Sequence, residues 1–198
     1  IEQLAPLMAK LPGVVNGFLH QSWMQSAITK TIGYVDTPLL SKPTLKSRVK
    51  HLVDDYSFEA LSRLSREERA RYVLIVQDPF TSFYDAEVVE HCVALIKALG
   101  LNPIVLPFSP NGKPQHVKGF LSRFAKTAKS SADFLNQLHQ LDISMLGVDA
   151  SLVLCYRDEY KQILAEKRGK FNVLLAHEWL IDIIKETPES MLKDKHKS

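Results

Sequence analysis

The run Tyr72-Val-Leu-Ile-Val-Gln77 is rich in β-branched and aliphatic residues, and it predicts the first strand of a regular domain. Its apolar stretch Val73-Leu-Ile-Val76 shows no polar–apolar alternation, which is typical of a strand that is buried on both faces. Val173-Leu-Leu175, near the end of the chain, has the same character. The pattern therefore favours a parallel sheet that is covered on both sides.

Three further strand–helix units follow the first one. The first strand leads into a helix that begins at Asp85 and ends at Gly100. The remaining predicted strands are Pro103–Pro107, Ile143–Val148 and Phe171–Ala176, and the remaining predicted helices are Val117–Leu138, Ser151–Glu166 and Glu178–Lys185. This alternation predicts an α/β fold: a four-stranded, or slightly larger, parallel sheet with helices on both faces and right-handed crossovers.

Residues 1–71 differ from the rest of the chain. Two helices are predicted at Glu2–Leu11 and Val14–Ile32, and Pro12-Gly13 separates them. Gly33–Val53 lacks periodicity, and we interpret it as an extended connector that wraps a neighbour; Ser57–Arg71 predicts a short, charged helix. We therefore divide the chain into a helical connector, residues 1–71, and an α/β domain, residues 72–198.

Composition excludes several classes of protein. The chain has 198 residues, of which 45% are hydrophobic and 24% charged, as in ordinary globular domains. The net charge of +3 is too small to predict a nucleic-acid partner. No apolar run approaches the roughly 20 residues that a transmembrane helix needs. The two cysteines are too few for a disulfide framework and indicate a reducing compartment, so we expect a cytoplasmic location.

The loops that follow the predicted strands are polar, and in a parallel sheet these loops gather at one edge. Histidines there can act as general bases or ligands, and Lys113, Lys118 and Arg157 could hold an anion. Asp149 or Ser151 is expected to cap the third helix. We predict a binding edge, but no specific reaction, from ten residues: Asp78, Thr81, Tyr84, Asn111, Lys113, His116, Asp149, Ser151, Arg157 and His177.

Several of these residues have a simpler structural interpretation. Cys155 lies one helical turn after Ser151 and could be a thiolate ligand or a redox thiol, but free cysteine is more often a small buried hydrophobic residue. Asp78 and Asp85 could act as an acid–base pair, although Asp85 is better explained as a helix N-cap. The sequence therefore predicts no catalytic residue and no metal site, with Cys155 kept as a secondary candidate ligand.

Several ordered segments carry a resemblance to a known family. They are Gln77-Asp-Pro-Phe-Thr-Ser-Phe-Tyr-Asp-Ala-Glu-Val-Val89, Pro110-Asn-Gly-Lys-Pro-Gln-His-Val-Lys-Gly119 and Arg157-Asp-Glu-Tyr160. Together they resemble the cysteine-rich domain of heterodisulfide-reductase-like and glycolate-oxidase-like iron–sulfur proteins. More closely, the first two of these segments resemble the C-terminal region of large bacterial FAD-linked oxidases of the D-2-hydroxyglutarate dehydrogenase type. Residues 1–71 resemble the helical connector that follows the ferredoxin-like domain of those oxidases.

The chain departs from the family pattern where that pattern has cysteines. The family has Cys-Cys-Gly-x-Pro where this chain has Pro110-Asn-Gly-Lys-Pro114, and Glu-Pro-Ser-Cys where it has Asp149-Ala-Ser-Leu152. An iron–sulfur cluster normally takes four thiolates, so two cysteines cannot hold one. The resemblance therefore implies no cofactor in this chain, with FAD and a [4Fe–4S] cluster expected elsewhere in the full-length protein.

The resemblance implies that the parent protein oxidises a 2-hydroxy acid, D-2-hydroxyglutarate in particular, and passes electrons from FAD through a [4Fe–4S] centre to an acceptor. Because the chain begins at Ile1 rather than Met, we expect a fragment, itself without turnover, that is a structural or electron-relay-associated domain. Its expected partners are the other domains of the same polypeptide and an electron acceptor. A peripheral position at the inner membrane face remains an alternative location.

Two other functions stay open at this point. The chain could be a docking module whose polar edge binds an electron acceptor or a partner subunit. It could also be a stand-alone α/β domain that binds a small molecule.

Overall fold

The computed structural model describes residues 4–24, 26, 30 and 38–186 of the chain. The N-terminal part contains short helices, whose bounds are α1 Ala5–Met8, α2 Pro12–Leu19, α3 Leu45–Val49, α4 Phe58–Arg63 and α5 Arg66–Arg69. Ser65 and Glu68 form a reciprocal capping box at the start of α5, which explains why the predicted helix Ser57–Arg71 is divided in two. Pro12 begins α2 rather than separating two helices, because proline fits the first helical position.

The second part is built on a parallel sheet of four strands. The strands are β1 Tyr72–Val76, β2 Asn102–Val105, β3 Ser144–Gly147 and β4 Leu174–Leu175. Their order across the sheet is β2-β1-β3-β4, and every neighbouring pair is parallel. The predicted α/β fold with a four-stranded parallel sheet is confirmed. The fourth strand is shorter than the predicted Phe171–Ala176, since only Leu174 and Leu175 pair with β3.

Helices connect the strands. Their bounds are α6 Pro79–Phe83, α7 Ala86–Ala98, α8 Lys113–Val117, α9 Leu121–His139, α10 Ala150–Leu154, α11 Tyr160–Leu164 and α12 Ala176–Glu186. A π turn, Cys155–Glu159, joins α10 to α11, and a 3-10 turn, Ala165–Arg168, follows. Helix α6, and all of α8 except its last residue, Val117, lie in segments that the sequence predicts as loops. The long helix predicted at Val117–Leu138 begins at Leu121.

Apolar side chains cover both faces of the sheet. Successive residues of β1 point to opposite faces, so that Leu74 and Val76 belong to one apolar layer and Val73 and Ile75 to the other. The first layer contains the buried face of α9 and the segment from α10 to α11, and the second contains the buried face of α7 and Trp179 of α12. This arrangement explains the uninterrupted apolar run in β1.

Part of the N-terminal segment packs on the second apolar layer. The predicted extended connector Gly33–Val53 lies partly outside the described residues, and its described part contains α3, whose Leu45 and Val49 are buried in that layer. The backbone N–H of Ser41 donates to the carbonyl of Phe83 at 2.7 Å, and Arg48 forms an ion pair of 2.6 Å with Glu90. The segment therefore contacts its own α/β part, and at α3 it is helical rather than extended. The division at residue 71 stays a prediction.

Candidate functional site

The strand order creates a topological switch point at the carboxyl edge of the sheet. After β1 the chain crosses to β2 on one side, and after β3 it crosses to β4 on the other side. Such a switch point, between the ends of β1 and β3, is where open α/β sheets usually bind ligands. Asp78 follows β1 and Asp149 follows β3, so these two predicted residues meet here.

Asp78 is buried and serves as the N-cap of α6. Its Oδ1 accepts hydrogen bonds from the backbone N–H groups of Phe80, at 2.7 Å, and Thr81, at 2.8 Å. The Thr81 hydroxyl donates to the other carboxylate oxygen. Burial is the main cause that raises the pKa of Asp78, and the nearby charge of Asp149 raises it further, while the bonds from Thr81 and Phe80 oppose the shift. Both oxygens of the Asp78 carboxylate therefore accept hydrogen bonds from the first turn of α6.

Asp149 is the N-cap of α10, and it accepts a bond from the backbone N–H of Leu152 at 2.7 Å. Of the two candidate caps, Asp149 rather than Ser151 fills this role, since Ser151 is exposed in the first turn of the helix. Asp85 occupies the N-cap position of α7 as predicted, although its side chain makes no capping hydrogen bond. The charge that acts on Asp78 comes from Asp149, not from Asp85.

The loop after β2 forms a tight turn that is packed onto the core. Asn111 is buried, its Oδ1 accepts from the Lys113 N–H at 2.7 Å, and its carbonyl accepts from the Tyr160 hydroxyl at 2.7 Å. Gly112 has φ +79, and an added Cβ there would come within 2.9 Å of Phe124. The His116 ring packs against Phe124 with 4.9 Å between ring centroids. These side chains hold the turn against α9 and α11.

Two of the cations predicted to lie at this edge, Lys113 and Arg157, form ion pairs there. Lys113 pairs with Glu159 of the π turn, and Arg157 pairs with both carboxylate oxygens of Glu178 at the start of α12. The hydrogen bonds from Arg157 are the main cause that lowers the pKa of Glu178 to about 2. Lys113 and Arg157 are therefore already paired with carboxylates, whereas Lys118, the third cation that could hold an anion, is exposed at the C-cap of α8.

The remaining predicted residues lie apart from these contacts. His177 is exposed in the first turn of α12, and Tyr84 is half-buried with its ring 6.2 Å from that of Phe80. The structure thus gathers Asp78, Thr81 and Asp149 at the switch point and Asn111, Lys113, His116 and Arg157 around the π turn. That this edge binds a ligand stays a prediction.

Cys155 is fully buried in the first apolar layer, whereas Ser151 is exposed, so the two do not share a surface. Cys92 of α7 packs against the second layer, and burial raises the pKa of its thiol to about 11. The two thiols therefore lie on opposite sides of the sheet. Within residues 4–24, 26, 30 and 38–186, no group of three His, Cys, Asp or Glu side chains could hold a metal ion.

One residue that the sequence analysis missed completes the site. Arg168 donates from Nε to the carbonyl of Tyr156 in the π turn at 2.7 Å, and its guanidinium lies 4.1 Å from the centroid of the Phe171 ring. A π turn leaves backbone carbonyls without their usual helical partners, and Arg168 satisfies one of them. A π turn has no local sequence signal, so nothing in the sequence pointed to this contact.

Comparison with curated proteins gives four matches, and all four relatives have the same name. The chain is 56% identical over 187 residues to D-2-hydroxyglutarate dehydrogenase of Pantoea ananatis, covering 94% of this chain and 18% of that protein. It is 54% identical over 189 residues to the Escherichia coli protein of that name, covering 95% and 19%. The Pseudomonas putida protein is 33% identical over 187 residues, covering 94% and 18%.

These matches confirm the resemblance to the D-2-hydroxyglutarate dehydrogenase type of protein. The chain spans about a fifth of the length of those relatives. No family model and no solved structure matches it. None of the helices in the described part of the chain has the length and apolarity to cross a membrane.

Proposed function

We propose that this chain is a structural domain of a larger oxidoreductase that oxidises a 2-hydroxy acid, D-2-hydroxyglutarate in particular. The observation that carries the proposal is the 54–56% identity, over almost the whole chain, to two proteins named D-2-hydroxyglutarate dehydrogenase. Because the chain corresponds to about a fifth of those proteins, the activity belongs to the longer polypeptide. The low cysteine content, two residues in 198, fits a reducing compartment, and we propose a cytoplasmic location.

The contacts at the carboxyl edge support a structural role for this domain. Asp78 and Asp149 cap helices, and Lys113 and Arg157 pair with Glu159 and Glu178. A general acid or base must be within hydrogen-bond reach of a reacting atom, and a nucleophile needs an adjacent base. The groups at this edge instead hydrogen-bond to backbone and to each other, which positions helices rather than a substrate.

The residues of this chain do not fit an iron–sulfur cluster. A [4Fe–4S] cluster normally needs four thiolates around one point, and Cys92 and Cys155 lie in opposite apolar layers. We therefore assign FAD and the cluster to other parts of the longer protein, and we derive no electron-transfer step through this domain.

The activity and cofactor content of the isolated chain test whether turnover and the cofactors belong to other parts of the longer protein. The purified 198-residue chain is mixed with D-2-hydroxyglutarate and a reducible dye, and its flavin and iron contents are measured. We expect no dye reduction and no stoichiometric flavin or iron. Dye reduction by the chain alone would contradict the structural role, and iron bound in proportion to protein would contradict the assignment of the cluster elsewhere.

A second candidate function, docking, is favoured by one surface. We call it the N-terminal apolar stripe, and it consists of side chains of α1, α2 and the turn between them that are each more than half exposed: Leu4, Leu7, Leu11, Val14 and Phe18. Large exposed apolar surfaces on soluble proteins often mark a contact with a partner. Because the relatives are about five times longer than this chain, we propose that the rest of the longer polypeptide covers the stripe.

Polar substitutions in the stripe test the docking role. In a longer protein that contains this sequence, Leu7→Ser with Phe18→Ser should speed proteolytic release of this domain, while Lys126→Gln on the exposed face of α9 should not. Unchanged proteolysis in the double variant would show that the stripe contacts nothing in the longer protein.

A further inference from the structure

A cavity lies on the β1–β2 side of the carboxyl edge, away from the switch point between β1 and β3. Its volume is about 710 Å³, within the range of about 300 to 1,000 Å³ that is usual for small-molecule sites. Its floor comes from the ends of β1 and β2 and from α6, and its roof comes from α1 and from residues 41–56. The roof is fixed to the floor by the bonds between Ser41 and the backbone of Phe83 and Ala86.

The walls of this cavity are largely apolar and include aromatic rings. Leu45 and Val49 of α3 face Val105 at the end of β2. Phe83 and Phe108 contribute an edge-to-face pair with 4.9 Å between ring centroids. Such walls favour a ligand with an apolar or aromatic body, because its burial removes apolar surface from water.

One polar group at the floor has an unmet hydrogen-bonding capacity. Ser82 lines the cavity and is buried, and its Oγ has no hydrogen-bond partner within the described part of the chain. A buried hydroxyl without a partner is costly, so such groups in folded proteins usually have a bonding partner, which can be a bound molecule. Neighbouring Gln77, in contrast, donates its amide to the Leu106 carbonyl at 2.6 Å.

Lysines at the roof give the cavity lining a net positive charge. Lys10, Lys46 and Lys50 line it, and none of them takes part in the ion pairs found among the described residues. Lys46 and Lys50 are four residues apart, on one side of α3 and its C-cap. Asp54 and Asp55 also line the cavity, which leaves three cationic against two anionic side chains and a net charge of +1.

We propose that this cavity is a binding site for a small organic anion with an apolar, preferably aromatic, body. The body lies between α3 and the Phe83–Phe108 pair, and the anionic group faces the lysines of the roof. This site goes beyond the proposed oxidation of a 2-hydroxy acid, because a substrate such as D-2-hydroxyglutarate has no apolar body of this size. Binding here would attach the N-terminal segment more firmly to the sheet.

Two dyes that differ mainly in charge test the site. Anilinonaphthalene sulfonate carries an aromatic body and a sulfonate, and N-phenyl-1-naphthylamine has nearly the same body without the charge. Fluorescence titration of the 198-residue chain should give saturable binding of one sulfonated dye per chain. The double variant Lys46→Gln with Lys50→Gln should lower the affinity for the sulfonated dye about tenfold and change the affinity for the neutral dye by no more than about twofold.

Further variants separate this cavity from the N-terminal apolar stripe. Val105→Phe, which fills part of the cavity, should abolish saturable binding of the sulfonated dye, whereas Phe18→Ser in the stripe and Lys126→Gln on α9 should not change it. Each variant is first compared with the parent by its circular dichroism and thermal melting. Absence of saturable binding to the parent, equal loss of both dyes on removing the lysine charges, or loss of binding with Phe18→Ser would each overturn the proposal.

Discussion

Arg157 and Glu178 form a bidentate ion pair that joins the π turn to the first turn of α12. One guanidinium nitrogen lies 2.9 Å from Oε1 of Glu178, and the other contacts Oε2 and also donates to the Val173 carbonyl at 3.2 Å. The Leu175 N–H donates to the same carboxylate at 3.0 Å. The pair therefore fixes the short strand β4 and the helix after it to the third strand–helix unit.

Because of this pair, we expect the free energy of unfolding of the domain to depend on pH in the acidic range. The bonds from Arg157 and Leu175 lower the pKa of Glu178 from its ordinary value of 4.5 to about 2. The stabilisation is therefore complete above the unfolded pKa of 4.5 and is lost as the pH falls from there to 2. The Glu178 side chain is 35% exposed, so we expect Glu178→Gln to lower the free energy of unfolding at pH 7 by only about 1 to 2 kcal/mol.

Urea unfolding of parent and variant between pH 7 and pH 2 measures this effect. The difference between the two should shrink towards zero at the acid end. Asp133→Asn is the matched control, because Asp133 pairs with Lys129 at 2.8 Å on the exposed face of α9 and should cost less than about 0.5 kcal/mol. A Glu178→Gln penalty that stays constant over the whole pH range would contradict the assignment.

Asp78 is predicted to stabilise α6 as a hydrogen-bond acceptor rather than as a charge. Asp78→Ala removes the acceptor for the N–H groups of Phe80 and Thr81, and it should lower the free energy of unfolding by about 2 to 3 kcal/mol. Asp78→Asn keeps an acceptor oxygen and removes a buried charge, so it should cost less than about 1 kcal/mol at pH 7. Chemical denaturation at pH 7 distinguishes the two, and an Asn variant as unstable as the Ala variant would show that the charge itself is needed.

The pH dependence of Asp78 has the opposite sign to that of Glu178. Because burial raises the pKa of Asp78 in the folded state, the folded protein binds its proton more tightly than the unfolded chain does. Its contribution therefore falls as the pH rises from the unfolded pKa of 3.8 through the raised folded pKa. Asp78→Asn should remove this pH-dependent contribution. The stability of the variant relative to the parent, measured by urea unfolding, should therefore improve as the pH rises from 3 to 6. A relative stability that stays flat over that range would contradict the raised pKa.

Both thiols should resist modification in the folded domain, for different reasons. Cys155 is inaccessible in the first apolar layer, and burial raises the pKa of the Cys92 thiol to about 11, which leaves little thiolate at pH 8. In a Cys92→Ser variant, labelling of Cys155 by a disulfide reagent should therefore follow global unfolding, with a rate that rises with urea. Rapid labelling of Cys155 without urea would contradict its burial, and protection by added iron or zinc would support the ligand role.

The fold was predictable because a strand that is buried on both faces appears in the sequence as an uninterrupted apolar run. Val73 to Val76 belong alternately to the two apolar layers, so this stretch of the strand has no polar residues, and the same logic identified the run at Val173. The strand order β2-β1-β3-β4 was not predictable, because it depends on which side each crossover takes. The short helices α6 and α8 were missed because their prolines, Pro79 and Pro114, also mark loops, although proline fits the first turn of a helix.

The candidate site was harder to predict because polar residues at helix starts have two uses. Asp78 and Asp149 follow strands, as ligand-binding residues do, yet both carboxylates accept backbone N–H groups. The cavity under α3 was missed because its walls come from segments far apart in sequence, around Leu45, Ser82 and Phe108. Such a site depends on how the N-terminal segment packs on the sheet, which local patterns do not encode.

Gly112, in the turn after β2, should be more sensitive to substitution than Gly100, which precedes that strand. It has φ +79, which disfavours any other residue, and an added Cβ would lie 2.9 Å from a ring carbon of Phe124 and 3.3 Å from Thr127. Gly100 has a similar φ of +81, but nothing lies within 4 Å of an added Cβ there. Gly100→Ala should therefore cost about 1 kcal/mol from backbone strain alone, and Gly112→Ala about 2 to 3 kcal/mol from strain and overpacking together.

The comparison of these two glycines isolates the packing of the turn from its backbone conformation. Thermal and urea unfolding of both alanine variants give the difference directly, and the parent residue at each site provides the reference. Since the Asn111 carbonyl beside Gly112 accepts the Tyr160 hydroxyl, displacement of the turn should also weaken the packing of the helix that begins at Tyr160. Removing that bond first, with Tyr160→Phe, should make the Gly112→Ala penalty smaller than in the parent. Equal penalties at Gly100 and Gly112 would mean that Phe124 yields to the new methyl group and that the turn is not held against the core.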